Sequence, residues 1–370
     1  MDEILKYQIA LTMIPKVGGI TAKKLIAYCG GVEGVFQEKK SSLLKIPGIG
    51  EHLASTIANA HWEEDVEKEV VFIRKNKITP LFYTDKDYPA RLKHCEDGPI
   101  LLFYKGQAPL NKRKVVGIVG TRNITSYGKQ KCTELVEGLK KFDPLIVSGL
   151  AYGVDARAHK AALEEGLSTV GVLGHGLDRI YPSLNKDLAE KMLESYGGLL
   201  TDFVSNTTPE RENFPKRNRI IAGMVDALIV IEAATTGGAL ITANIANSYS
   251  RDVFALPGRT SDFYSQGCNH LIKTHKAHLF ETSRDIEYVM RWEEEPMPGS
   301  SQQQLFPELD DEEKAVADCL KENNGEESFD YLLNKTGFSF SKLSALLLNM
   351  EFKGVVSTLP GNRYRLIALV

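Results

Sequence analysis

Between about Lys112 and Met290 the chain alternates short apolar runs with amphipathic helical stretches, and this alternation constrains the fold more than any single motif. Val115-Val116-Gly117-Ile118-Val119-Gly120 is the first run. Leu145-Ile146-Val147-Ser148-Gly149, Thr169-Val170-Gly171-Val172-Leu173-Gly174, Ala227-Leu228-Ile229-Val230-Ile231 and Val253-Phe254-Ala255-Leu256 repeat it. Runs without a polar face belong to strands buried on both sides, which are joined through helices in a parallel, doubly wound sheet. The predicted fold class is therefore α/β, a Rossmann-like and mostly parallel sheet. Ligands in such sheets bind beyond the carboxyl ends of the strands, so the chemistry is to be sought in the segments that follow each run.

One such segment is Phe214-Pro215-Lys216-Arg217-Asn218-Arg219-Ile220-Ile221-Ala222-Gly223. Three cations, an asparagine and an aromatic fall within its first six residues, and an apolar helical run follows. Guanidinium groups make bidentate contacts to phosphate, and an aromatic face accepts a nucleobase. The tract reads as an exposed anion site for nucleic acid at the start of a helix. The other reading is an arginine cluster paired with the protein's own carboxylates.

The remaining strand ends add further candidates. Gly120-Thr121-Arg122-Asn123-Ile124-Thr125-Ser126-Tyr127-Gly128 departs from the GxGxxG dinucleotide fingerprint, because a cation holds the second glycine position. A glycine turn with hydroxyls and an arginine before a helix suits a phosphate, or else is an ordinary capped turn. Asp155, in Ser148-Gly149-Leu150-Ala151-Tyr152-Gly153-Val154-Asp155, falls where a carboxylate caps a helix. His159 follows one turn later, but this spacing does not supply the nucleophile elbow of a serine hydrolase. His175, in Gly174-His175-Gly176, is an acid–base candidate or a turn-stabilising residue. Thr236-Gly237-Gly238 opens a helix that carries Thr242, the pattern of a phosphate cradle built from backbone amides. Glu232, just before it, is expected to partner one of the arginines.

Ile14-Pro15-Lys16-Val17-Gly18 recurs as Ile46-Pro47-Gly48-Ile49-Gly50, each copy leading into a helical pattern. The pair resembles a tandem helix-hairpin-helix module, with Lys16 standing where a glycine is expected. Such turns expose amides that hold DNA phosphate without reading sequence, or are kept for packing. After a polar, proline-rich stretch around 293–304, helical patterns at about 311–321, 328–334 and 339–350 and a closing hairpin resemble a winged helix. Its candidate recognition helix carries a single cation, Lys342, among leucines, which favours an auxiliary or protein-contact role. The expected organisation is a helix-hairpin-helix region over 1–75, the α/β core with its lead-in over 76–292, a linker over 293–310 and a winged helix over 311–370.

At 370 residues and a net charge of −3, the chain is not a polycation, so nucleic-acid binding must come from local patches. The five cysteines (Cys29, Cys95, Cys132, Cys268, Cys319) have neither disulfide-framework nor zinc spacing. The first residues are acidic and unlike a signal peptide, and no apolar run approaches the roughly 20 residues of a membrane span. A cytoplasmic protein without metal or cofactor is expected.

Taken in order, GTR at 120–122, SGLAYGVDA at 148–156, VLGHGLDRIYP at 172–182, FPKRNRIIAG at 214–223, IEAATTGGALITA at 231–243 and ALPG at 255–258 resemble the DNA-processing protein A family (DprA, also called Smf). The resemblance spans nearly the whole chain. It implies a homodimer with a Rossmann-like core that binds single-stranded DNA and helps load the RecA recombinase during natural transformation, without established catalysis. It also implies that Thr121, Arg122, Lys216, Arg217 and Arg219 serve phosphate. Phe214 and Asn218 would contact bases or shape the pocket, and Gly237, Gly238 and Thr242 would form part of the anion cradle. Threonine replaces the family's usual serine at Thr121 and at Thr236, keeping the hydroxyl in both places. The alternative is a nucleotide-hydrolysing enzyme of the lysine-decarboxylase-like phosphoribohydrolase type, with Glu232 assisting glycosidic cleavage and Arg122 or Arg219 holding the monophosphate. That group's PGGxGT signature is replaced here by TTGGALIT.

Overall fold

The computed structural model describes residues 2–292, 309–322, 325–359 and 361–367. They fall into two compact units, one within 2–292 and one from 309 onward. Most of the expected linker, 293–308, lies outside the described residues.

The first unit opens with six helices, α1 (Asp2–Met13), α2 (Gly19–Cys29), α3 (Val32–Gln37), α4 (Lys40–Leu43), α5 (Glu51–Ala58) and α6 (Glu63–Lys75). The two repeats form the same turn. Lys16 (φ 67°) takes the left-handed backbone of Gly48 (φ 85°), and Gly18 and Gly50 are equivalent N-caps. Matching turn bonds run from Val17 N–H to Ile14 O and from Ile49 N–H to Ile46 O. Their surroundings differ. Gly19 lies against the Asp97–Gly98 backbone, where a side chain would reach within 2.9 Å of Asp97 O, whereas its counterpart in the second copy is the exposed Glu51.

Among the described residues the main sheet has nine strands: β1 (Thr79–Phe82), β2 (Leu101–Gly106), β3 (Val115–Val119), β4 (Leu145–Ser148), β5 (Thr169–Val172), β6 (Gly198–Thr201), β7 (Ala227–Val230), β8 (Asp252–Ala255) and β9 (His278–Leu279). Their order is β1-β2-β6-β5-β4-β3-β7-β8-β9, with β1/β2 and β2/β6 antiparallel and the rest parallel. Helices α7 (Ala90–Lys93), α8 (Ser126–Leu139), α9 (Val154–Glu164), α10 (Lys186–Glu194), α11 (Asn213–Met224), α12 (Gly238–Ser248), α13 (Gln266–Lys273) and α14 (Ser283–Met290) complete the unit.

The period of two explains the double burial. Val115, Val119, Val147 and Val230 face Ile220, Ile221 and Ala243 of α11 and α12. Val116, Ile118, Ile146 and Ile229 face Leu135, Val136 and Ala161 of α8 and α9. Each such side chain contributes roughly 1.5–3 kcal/mol of burial. From β3 the chain winds one way through β4, β5 and β6, then returns to β7 on the other side of β3. The order therefore reverses between β3 and β7, which opens a crevice at their carboxyl ends.

The second unit packs α15 (Asp311–Glu322), α16 (Phe329–Thr336) and α17 (Phe340–Phe352) around Val316, Leu320, Leu332, Leu343 and Leu347. Its sheet of β10 (Glu326–Ser328), β11 (Val356–Leu359) and β12 (Arg363–Leu366) has the order β10-β12-β11. This is the expected winged helix. Among the described residues no helix is long and apolar enough to cross a membrane, and no cluster of His, Cys, Asp or Glu is placed to hold a metal.

Candidate nucleic-acid interface

A cleft of about 470 Å³ occupies the crevice between β3 and β7. One wall is the Gly120–Asn123 turn, and the opposite wall is Ala233–Thr242, where Gly237 (φ 150°) precedes the first turn of α12. The first turns of α11 supply Phe214, Arg217 and Asn218. The fold thus brings Thr121, Arg122, Phe214, Arg217, Asn218, Gly237, Gly238 and Thr242 to one place.

The Arg122 turn is held from two sides. Thr121 N–H donates to Glu232 O at 2.7 Å, and Val154 N–H donates to Thr121 O at 3.1 Å. Gly153 (φ 78°) lies so close to this turn that a Cβ would come within 2.6 Å of the Arg122 carbonyl. The Glu232 carboxylate accepts from Thr125 N–H at 2.9 Å and from the Thr125 hydroxyl at 2.5 Å, and Thr125 in turn caps α8 by accepting from Gly128 N–H at 3.1 Å. Glu232 therefore anchors the loop through a threonine; the expected arginine partner is not what it meets. Held in this way, the exposed Arg122 guanidinium lies 5.6 Å from the Phe214 ring, and Tyr181 lies 6.0 Å beyond that ring in a tilted stack.

The basic tract does not aim its cations together, because Arg217 points about 100° from Lys216 and about 160° from Arg219 around the helix. Lys216 is exposed and does not line the cleft. Arg217, only 5% exposed, donates to Val172 O from Nη1 and faces Asp155 across Gly149, where an added methyl would come within 2.7 Å of Nη2. Burial pushes the Asp155 carboxyl up and the Arg217 guanidinium down, and each one's charge opposes the other's shift. The expectation of a wholly exposed anion site is corrected at Arg217, which lies inside. The compensating carboxylate comes from α9, far away in sequence, and Asp155 also accepts from Ala151 N–H at 3.3 Å. Arg219 points away from the cleft to the Asp202 carboxylate at 2.7 Å, and also donates to Asp97 O. Asn218 is 8% exposed and donates to Gly238 O at 3.4 Å, while Thr242 bonds the same carbonyl at 2.9 Å. These two side chains fix the cradle's first turn.

The Ser148, Asp155 and His159 side chains do not form a triad. The Ser148 hydroxyl donates to Ile118 O at 2.5 Å. His159, fully buried, bonds Gly149 O through Nε2 at 2.5 Å and Thr169 Oγ1 through Nδ1 at 2.6 Å. Burial lowers its pKa to about 4, so the ring is neutral. His175 is buried beside the cleft and donates from Nδ1 to Gly176 O at 2.9 Å, while its Nε2 meets no hydrogen-bond partner among the described residues. Sequence reasoning missed Phe263 and Tyr264, which line the cleft from the loop after β8, with the Tyr264 hydroxyl accepting from Asn123 at 2.9 Å. Two adjacent aromatics in a polar loop were the available signal.

The family model described as DNA recombination-mediator protein A matches residues 79–291, and the DprA winged helix domain matches 300–362. The chain belongs to the DNA recombination-mediator protein A family. Protein Smf of Synechocystis is 31% identical to this family member over 97% of this chain and 98% of its own. The X-ray structure of DNA processing protein A from Streptococcus pneumoniae matches with a TM-score of 0.67 at 33% identity, covering 78% of this chain and 98% of that one. DNA processing protein A from Helicobacter pylori, whose structure is described for its single-stranded DNA binding mode, matches with a TM-score of 0.52 at 28% identity. That match covers 58% of this chain and 96% of that one.

Proposed function

We propose that this protein binds single-stranded DNA without sequence preference and delivers it to a RecA recombinase during natural transformation, acting as a homodimer without bond-breaking chemistry of its own. The observation that carries this reading is that Arg122 and Phe214, with Tyr181 stacked beside them, share one cleft with a glycine-opened helix start. In this reading Arg122 and Lys216 neutralise phosphates, and the Thr121 hydroxyl and the amides at Gly237–Gly238 donate to a phosphate oxygen. Phe214 takes a base; stacking of that kind contributes roughly 1–3 kcal/mol per base for any sequence. Arg217, Asn218 and Thr242 hold the cleft's shape, and Arg219 ties α11 to Asp97 and Asp202. A dimer would place two clefts on one strand and raise avidity without new contacts. The Helicobacter pylori relative's single-stranded DNA binding supports the ligand.

The test is a salt series of fluorescence-anisotropy titrations with labelled oligo-dT and its duplex, for wild type and Arg122→Ala. Preference for the single strand is expected, with a log–log salt slope of about −0.7 per neutralised phosphate, and the variant loses affinity. Salt-insensitive binding that Arg122→Ala leaves unchanged sinks the reading. Strand exchange by RecA on DNA already coated with a single-strand binding protein then tests delivery. No acceleration by wild type would limit the role to binding.

A further inference from the structure

We propose that the strand does not stop at the central cleft but continues past Arg122 into a neighbouring groove, where Lys129 and Lys160 form a second phosphate subsite. This rests on the single-strand reading above. The groove, about 810 Å³, shares Arg122 and Asn123 with the cleft and is lined by residues of α8 and α9. Its basic residues are Arg122, Lys129, Arg157 and Lys160, and no carboxylate among the described residues lines it, in a chain whose net charge is −3.

The pairing pattern singles out two of these cations. Arg157 is tied to Glu164 at 2.9 Å and to the Thr133 hydroxyl. On the same helices or just beyond, Lys131 meets Glu134 at 2.9 Å and Lys140 meets Glu165 at 3.0 Å. The Lys129 and Lys160 ammonium groups are exposed and meet no partner among the described residues. Two unpaired ammonium groups on adjacent helices, one of them (Lys129) close to the start of α8, hold an anion that arrives along a path. Tyr152, 42% exposed on the groove's rim, supplies a ring for a base between the two subsites. Continuity with the cleft through Arg122 and that ring favour a polynucleotide over an acidic protein.

The experiment uses the full chain, with oligo-dT strands of increasing length, comparing wild type, Lys129→Ala/Lys160→Ala and Arg122→Ala. On the shortest strands that wild type binds, the double variant is expected to match it within about twofold. On longer strands it binds about tenfold more weakly at low salt, with a salt slope shallower by about 1.4, two phosphates' worth. Lys129→Glu/Lys160→Glu deepens the loss, and unchanged thermal melting of both variants shows that the fold is intact. Equal loss at every length would place the lysines in the cleft's own field and overturn the subsite. Wild-type binding at every length, with Arg122→Ala still defective, would overturn the groove and leave the cleft reading standing. Normal binding by Arg122→Ala would remove both.

Discussion

The central cleft and the winged-helix unit both carry basic residues, and they treat them in opposite ways. In the winged helix Lys342 meets Glu312 at 2.6 Å, Lys353 meets Glu313 at 2.6 Å, and Arg363 and Arg365 share Glu326 at 3.4 and 2.8 Å. Around the cleft, Arg122, Lys129, Lys160 and Lys216 meet no carboxylate among the described residues, while Arg217 is locked inside. A cation already neutralised by its own chain releases few counterions when it meets a phosphate, whereas an unpaired one releases its share in full. Pairing, more than the number of cations, separates a surface open to a phosphate backbone from one that is merely charged.

The largest effect is expected where a cation is locked in. Arg217→Ala leaves Asp155 buried and uncompensated and should lower stability by about 3–5 kcal/mol, read from urea unfolding. Adding Asp155→Asn should recover part of that loss; equal stability of the single and double variants would show that the two groups do not interact. His159 comes next. Its folded pKa of about 4 lies below the ordinary 6.5, so the unfolded chain takes up a proton first as pH falls. Its contribution is complete above pH 6.5 and is lost between pH 6.5 and 4, by about 3 kcal/mol in all. His159→Gln should flatten that part of the stability–pH profile relative to wild type.

Arg122→Ala should weaken single-strand binding by roughly 10- to 100-fold, the value of a charge-assisted contact, without changing the melting temperature. Equal losses of stability and affinity would make Arg122 a structural residue like Arg217. The smallest effect belongs to the winged helix. Arg363→Ala/Arg365→Ala removes exposed pairs that contribute about 0–1 kcal/mol each, and should shift single-strand affinity less than about twofold. A tenfold loss would reverse the contrast between the two units.

Much of this was legible in sequence, because apolar periodicity and glycine turns are local signals. The five apolar runs are β3, β4, β5, β7 and β8, and the shared hairpin geometry appears as Lys16 in the backbone region of Gly48. Strands β1, β2 and β6 were not legible, because their places at one side of the sheet are fixed by partners distant in sequence. The basic tract pointed to the right helix but not to the right side chains. Which cations face the cleft depends on where Asp155, Asp202 and Val172 stand, and no local pattern encodes that. Lys129 and Lys160 were invisible for the same reason, since 31 positions separate them and only the packing of α8 against α9 makes them neighbours.

The N-terminal helices share one apolar core with the edge of the sheet: Ile9, Leu25, Val66 and Val70 pack with Phe82, Ile100, Leu101 and Phe103. Cutting the chain after 75 would not release two modules. It would bare a greasy sheet face on the larger fragment, of the kind that drives aggregation, so an α/β core produced without the winged helix should begin at the first helix.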